Sequence, residues 1–78
     1  MHAGIGFNET MQTIEEIKQN LPDVLVRMDK KMTVTGRVSG RRNAFATVSC
    51  EWHGVPVQYE YAWETIAHAV NNNTPLRV

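Results

Sequence analysis

The spacing of apolar residues changes twice along the chain, and each change indicates a new type of element. The apolar residues of the first segment are Met11, Ile14, Ile17 and Leu21. Their intervals of three and four residues predict an amphipathic helix. From Val24 to Tyr61 apolar and polar residues alternate, which predicts β-strands with one buried face. Helical spacing returns at Trp63, Ile66, Ala67 and Val70, which predicts a second helix.

The limits of the first helix depend on its capping residues. Thr10 or Asn8 can cap this helix, and Thr13 with Glu16 can form a capping box one turn later. Pro22 ends the helical pattern. The segment VLVRM that follows can be a strand, or it can extend a helix that has Pro22 at its first position. Both interpretations of residues 24–28 stay open.

Three turn sequences divide the alternating region, at residues 29–31, 39–43 and 53–54. If each turn joins two antiparallel neighbours, the apolar residues of every strand lie on one face. The predicted cross-strand pairs are Val26 with Val34, Val38 with Ala44, Gly36 with Ala46, and Val48 with Tyr59. Pro56 has no N–H to donate, so the last of these strands is expected at an edge of the sheet.

The predicted fold class is therefore α+β. It is an antiparallel β-meander of three to four strands with an N-terminal and a C-terminal helix packed on one face, in the order α-β-β-β-β-α. Residues 1–8 are expected to be a flexible leader and residues 9–73 a single domain. Residues 74–78 are expected to be a C-terminal tail whose Leu76 and Val78 can dock or pair.

Composition argues against several classes of protein. The chain has 78 residues, of which 42% are hydrophobic and 21% charged, and no apolar run approaches the roughly 18–20 residues of a membrane helix. We therefore expect a cytoplasmic protein without membrane contact. Cys50 and His53 have the spacing of half a zinc site, but too few other ligands accompany them. Since phosphate-loop, HExxH and GxSxG motifs are also absent, we expect no metal, no cofactor and no enzymatic activity.

Charge is unevenly distributed although the formal net charge is zero. Residues 27–42 contain six basic residues and one acidic residue, so the remainder of the chain is correspondingly acidic. Arg41 and Arg42 fall at the predicted hairpin tip beside Asn43, and Arg37 is expected opposite Phe45, where its guanidinium can lie over the ring. The predicted binding residues are Arg37, Arg41, Arg42, Asn43, Phe45 and Lys30.

Arginine together with an aromatic residue is typical both of protein-binding hot spots and of nucleic-acid surfaces. The first hypothesis is a small regulator or inhibitor, of the size that phages and mobile elements often encode, that binds an acidic patch on a larger protein or nucleoprotein. The alternatives are a nucleic-acid-binding module and a homo-oligomeric structural protein, for example a homodimer. The net charge of zero favours the first, because dedicated nucleic-acid domains usually carry positive charge.

Overall fold

A computed structural model describes residues 11–78 of the chain. Within them, two helices accompany a curled five-stranded sheet in the order β4-β3-β2-β1-β5, which confirms the α+β class. The elements are α1 (Ile14–Asn20), β1 (Val24–Arg27), β2 (Thr33–Ser39), β3 (Phe45–Trp52), β4 (Val55–Ala62), α2 (Trp63–Asn72) and β5 (Leu76–Arg77). Neighbouring strands are antiparallel except for β5, which is parallel to β1.

A capping box sets the start of α1. The Thr13 hydroxyl accepts from the backbone N–H of Glu16 at 3.2 Å, and the Glu16 carboxylate accepts from the backbone N–H of Thr13 at 2.8 Å. Met11 therefore lies outside this helix and is 47% exposed, so its predicted place in the apolar stripe is wrong. The alternative caps, Asn8 and Thr10, lie outside the described residues. The expected leader, residues 1–8, also lies there.

Two of the three predicted strand registers are confirmed. β3 and β4 join through a two-residue turn in which His53 and Gly54 both have positive φ, and Val48 lies opposite Tyr59. Val26 lies opposite Val34, so residues 24–27 form a strand and the helical alternative is wrong. The strand that contains Pro56 is an edge of the sheet, as predicted.

The predicted register between β2 and β3 is wrong by four residues. Val38 lies opposite Val48, whereas Ala44 is exposed in the loop and pairs with no strand residue. A shift by an even number leaves every side chain on its predicted face. The alternation of apolar residues therefore could not reveal the error.

Gly36 marks the point at which β2 changes partners. Residues 33–36 pair with β1, and residues 37–39 pair with β3. A Cβ atom built on Gly36 would lie 2.5 Å from Cγ1 of Val48 and 2.8 Å from Cγ2 of Val26. Only glycine lets these two valines approach the strand so closely, so Gly36 helps to place β2 between its neighbours.

The core lies between the concave face of the sheet and the two helices. Trp63, Ile66 and Ala69 are the buried residues of α2, and Ile17 is the buried residue of α1. Leu76 is 4% exposed, and residues 76–77 form β5 within the segment expected to be a tail. The hydroxyl of Tyr61 donates to the backbone carbonyl of Arg77 at 3.0 Å, which links the two edge strands across the curl.

Candidate functional site at the β2–β3 tip

The loop between β2 and β3, residues 40–44, is called the tip here. Gly40 has a φ of +85°, a conformation that strains any residue with a side chain. The backbone N–H of Asn43 donates to the carbonyl of Gly40 at 2.9 Å and closes the turn. The tip is therefore a defined turn.

A tryptophan from the second helix holds the tip in place. The indole N–H of Trp63 donates to the backbone carbonyl of Asn43 at 3.0 Å, and Trp63 is only 4% exposed. On the α1 side of the same ring, the ammonium of Lys18 lies 5.4 Å from the ring centroid, within the range of a cation–π contact. Both helices therefore contribute to the position of the tip, since one supplies the donor and the other packs a cation on the ring.

Two arginines and an aromatic ring are exposed together at this end of the sheet. Arg41 and Arg42 are exposed, and among the hydrogen bonds within residues 11–78 none is donated by their side chains. Phe45 is 55% exposed and begins β3. The ladder with β2 ends at the pair of Ser39 with Thr47, so Phe45 has a strand partner on the β4 side only. This overhang explains why its ring stays uncovered.

Arg37 does not belong to this group, and its predicted place opposite Phe45 is wrong. It lies opposite Ser49, and Ser49 is four residues from Phe45, or about 13 Å along the strand. The side chain of Arg37 instead lines an open depression of about 690 Å³ together with Glu51 and Asp23. The four-residue error in register is the whole cause of this misplacement.

Lys30 is also separated from the tip. It lies in the turn between β1 and β2, and β2 is seven residues long, so about 23 Å of strand lies between that turn and the tip. Of the predicted binding residues, the structure therefore brings together Arg41, Arg42, Asn43 and Phe45. It places Arg37 and Lys30 elsewhere.

The charge around the tip is mixed. Glu60 lies opposite Thr47 on the outer face, as a diagonal neighbour of Phe45, and Glu64 is exposed in the first turn of α2 beside Trp63. Lys18 adds a cation through its contact with Trp63. Sequence reasoning missed Trp63 and Lys18 as parts of the site, because only the packed helices bring them to the tip.

The environment of Cys50 is not that of a nucleophilic thiol. Burial raises the pKa of the Cys50 thiol above its ordinary value, so the thiol stays protonated at neutral pH. Its sulfur lies 4.0 Å from the sulfur of Met28. Among residues 11–78, no three His, Cys, Asp or Glu side chains are grouped as a metal site would require.

Neither described helix is long and apolar enough to span a bilayer. Comparison of the chain with protein-family models, with curated proteins and with solved structures gave no match.

Proposed function

We propose that this protein is a small non-enzymatic interaction module, a regulator or inhibitor, that uses the tip and Phe45 to bind an acidic patch on a larger protein or nucleoprotein. The observation that carries the proposal is the hydrogen bond from Trp63 to the carbonyl of Asn43, beside exposed Arg41, Arg42 and Phe45. A loop held in advance loses less conformational entropy on binding than a mobile one. The single thiol, Cys50, is consistent with a reducing, cytoplasmic location.

The residue types at the tip suit recognition of carboxylates. A guanidinium group presents a planar set of donors that matches a carboxylate, and the adjacent aromatic ring adds apolar contact area. Because Arg41 and Arg42 have no side-chain hydrogen bonds within residues 11–78, no such bond has to be broken before they bind. The Phe45 ring is already half in solvent.

The mixed charge around the tip favours a protein over a nucleic acid as the partner. A polyanion that extends beyond Arg41 and Arg42 meets Glu60 on the outer face of the sheet, or Glu64 in the first turn of α2. The other predicted cation, Lys30, lies too far away to continue a basic track. Nucleic-acid binding therefore remains the alternative that the experiment has to exclude.

The test uses a photo-crosslinking benzoyl-phenylalanine at position 45 in cells of the natural host. Position 55 is the matched control, because Val55 is 57% exposed and Phe45 is 55% exposed, and they begin different strands. We expect one partner to be captured from position 45 and not from position 55. Identical capture from both positions contradicts the proposal.

Affinity for the captured partner then tests the arginines. The double variant Arg41→Glu, Arg42→Glu should weaken binding by at least about 30-fold, as expected for hot-spot residues. The single variant Arg37→Glu, on the same sheet but away from the tip, should change the affinity less than about threefold. Equal losses in both variants would indicate long-range charge effects and contradict a specific tip contact.

Labelled DNA and RNA provide the separate test of the alternative. At low salt, a nucleic-acid module binds them and loses affinity steeply as salt rises. We expect no such binding by this protein. Tight binding that disappears in the Arg41→Glu, Arg42→Glu variant would replace the proposed protein partner by a nucleic acid.

A further inference from the structure

A second group of basic side chains lies at the opposite end of β2, where the β1–β2 turn meets β5. Arg27 and Arg77 are partners in the parallel ladder between β1 and β5. The preceding pair, Val26 with Leu76, is buried, so Arg27 and Arg77 lie on the outer face of adjacent strands. Fifty residues separate them in the chain, and only the strand β5 brings them together.

Backbone carbonyls hold the guanidinium of Arg27 at this turn. Its Nε donates to the carbonyl of Asp29 and its Nη2 donates to the carbonyl of Lys30, both at 3.4 Å. These long bonds orient the group and leave Nη1 without a partner among residues 11–78. The edge of the planar guanidinium group that carries Nη1 therefore remains available to a ligand.

The side chains at this turn carry more positive than negative charge. Those of Arg27, Lys30 and Arg77 are cationic, and that of Asp29 is the one anionic side chain among the residues that line the depression. Oδ1 of Asp29 already accepts from the backbone N–H groups of Lys31 at 2.8 Å and of Met32 at 2.9 Å. Like charges on directly opposed strand residues destabilise a sheet, and an anion bound between them removes that repulsion.

The same side chains line a depression of about 350 Å³. Met28 and Val78 complete its wall beside Arg27, Asp29, Lys30 and Arg77. The depression has no exposed aromatic ring, unlike the tip. Its chemistry is therefore that of a small anion site with cations on several sides.

We propose that this depression binds a phosphate group, held by Arg27 and Arg77 through guanidinium forks and by the ammonium of Lys30. Phosphate is the best match because its tetrahedral oxygens can accept from two guanidinium groups at once. The site is independent of the tip and of the protein partner proposed for it. A phosphoserine side chain and free phosphate present the same group.

Inorganic phosphate is the probe for the test. Phosphate is added to about 20 mM at constant ionic strength, and amide and arginine side-chain NMR signals of the intact chain are followed. We expect saturable shifts centred on Arg27, Lys30 and Arg77 with a dissociation constant of about 1 mM. Shifts that do not saturate, or that are equally large at Arg41 and Arg42, would overturn the proposal.

Variants connect the binding to the named side chains. Arg77→Gln should weaken phosphate binding at least about tenfold, because it removes one of two guanidinium forks. Arg37→Gln on the same sheet should leave it unchanged, and circular dichroism checks that each variant is folded. Wild-type affinity in Arg77→Gln contradicts the site.

A phosphoserine peptide and the same peptide without phosphate distinguish the sources. If the phosphopeptide binds at least about tenfold more tightly than inorganic phosphate and still depends on Arg77, the group is recognised on a protein. If the phosphopeptide and inorganic phosphate bind with equal affinity, the site takes free phosphate. Binding of both peptides with equal affinity would mean that the phosphate group is not recognised, and would overturn the proposal.

Discussion

The two ends of β2 carry similar basic residues but differ in how the fold supports them. At the tip, a buried tryptophan from a helix fixes the loop backbone, and the arginines of the loop lie beside an exposed phenylalanine. At the β1–β2 turn, Asp29 closes the backbone from within the turn, and Arg27 and Arg77 line a depression. The difference indicates that neighbouring groups, rather than the count of cations, decide what a basic turn can bind.

The two regions also differ in the carboxylates around them. Glu60 and Glu64 are exposed beside the tip, whereas Oδ1 of Asp29 at the turn accepts from two backbone N–H groups. A partner with both acidic and basic groups can match the first arrangement, and a compact anion matches the second. One strand thus separates two surfaces for which we propose different ligands.

The largest effect on stability is expected from a substitution at Gly36, in the middle of β2 between the two ends. Gly36→Val should lower the free energy of unfolding by about 3 kcal/mol, because its side chain would clash with Val48 and Val26. Thr35→Val, at the exposed neighbouring position, is the control and should change stability by at most about 0.5 kcal/mol. Chemical denaturation measures both. Similar stability of the two variants would mean that the close packing around Gly36 is unimportant.

The second largest effect is expected from removing the hydrogen bond that holds the tip, without changing the exposed side chains of the tip. Trp63→Phe keeps an aromatic ring but removes the N–H that donates to Asn43, so we expect a loss of about 1–2 kcal/mol in unfolding free energy. Hydrogen exchange at residues 41–45 should also accelerate.

Trp52→Phe is the matched control for that substitution. Trp52 is half-buried, and within residues 11–78 its indole N–H has no hydrogen-bond partner, so the replacement should leave exchange at the tip unchanged. If both tryptophan variants accelerate exchange at residues 41–45 alike, Trp63 has no special role there.

A smaller effect, on phosphate affinity, is expected at the β1–β2 turn. Asp29→Asn removes the acidic charge from the turn, and its amide oxygen can still accept from the backbone N–H groups of Lys31 and Met32. Phosphate affinity should therefore rise about threefold while stability changes little. NMR titration and thermal melting measure the two quantities. Unchanged or weaker affinity would show that the charge of Asp29 does not act on the site.

The smallest effect lies in the core between the two ends. Burial raises the pKa of Cys50, and it is also the largest cause of the raised pKa of Tyr61, with smaller contributions from Tyr59 and Cys50. At a pH between the pKa of one of these groups in the unfolded chain and its higher pKa in the folded chain, the unfolded chain has lost a proton that the folded chain retains. Stability should therefore be complete below the ordinary cysteine value of 9.0 and fall as pH rises above it.

Denaturation at several pH values tests this dependence, with Cys50→Ala as the control. The loss of stability just above pH 9.0 should be smaller in that variant, because it has no thiol at position 50 to titrate. A stability that increases with pH over this range would contradict the direction of both shifts.

Local rules predicted much of the fold. The two-residue turn at His53-Gly54 has one sterically favoured geometry, so the register of β3 with β4 followed from the sequence. The loop at residues 40–44 has no such single length, and alternation with a period of two accepts any even shift. The predicted contact of Arg37 with Phe45 failed for that reason.

The sequence alone determined the class of fold, the single buried face of the strands, the exposure of Arg41 and Arg42 and the outer-face position of Phe45, because these follow from local periodicity and turn chemistry. Only the tertiary structure decided that Trp63 holds the tip and that Arg77 joins Arg27. Those two contacts join residues distant in the chain. They depend on how the helix and β5 pack onto the curled sheet, which no local pattern specifies.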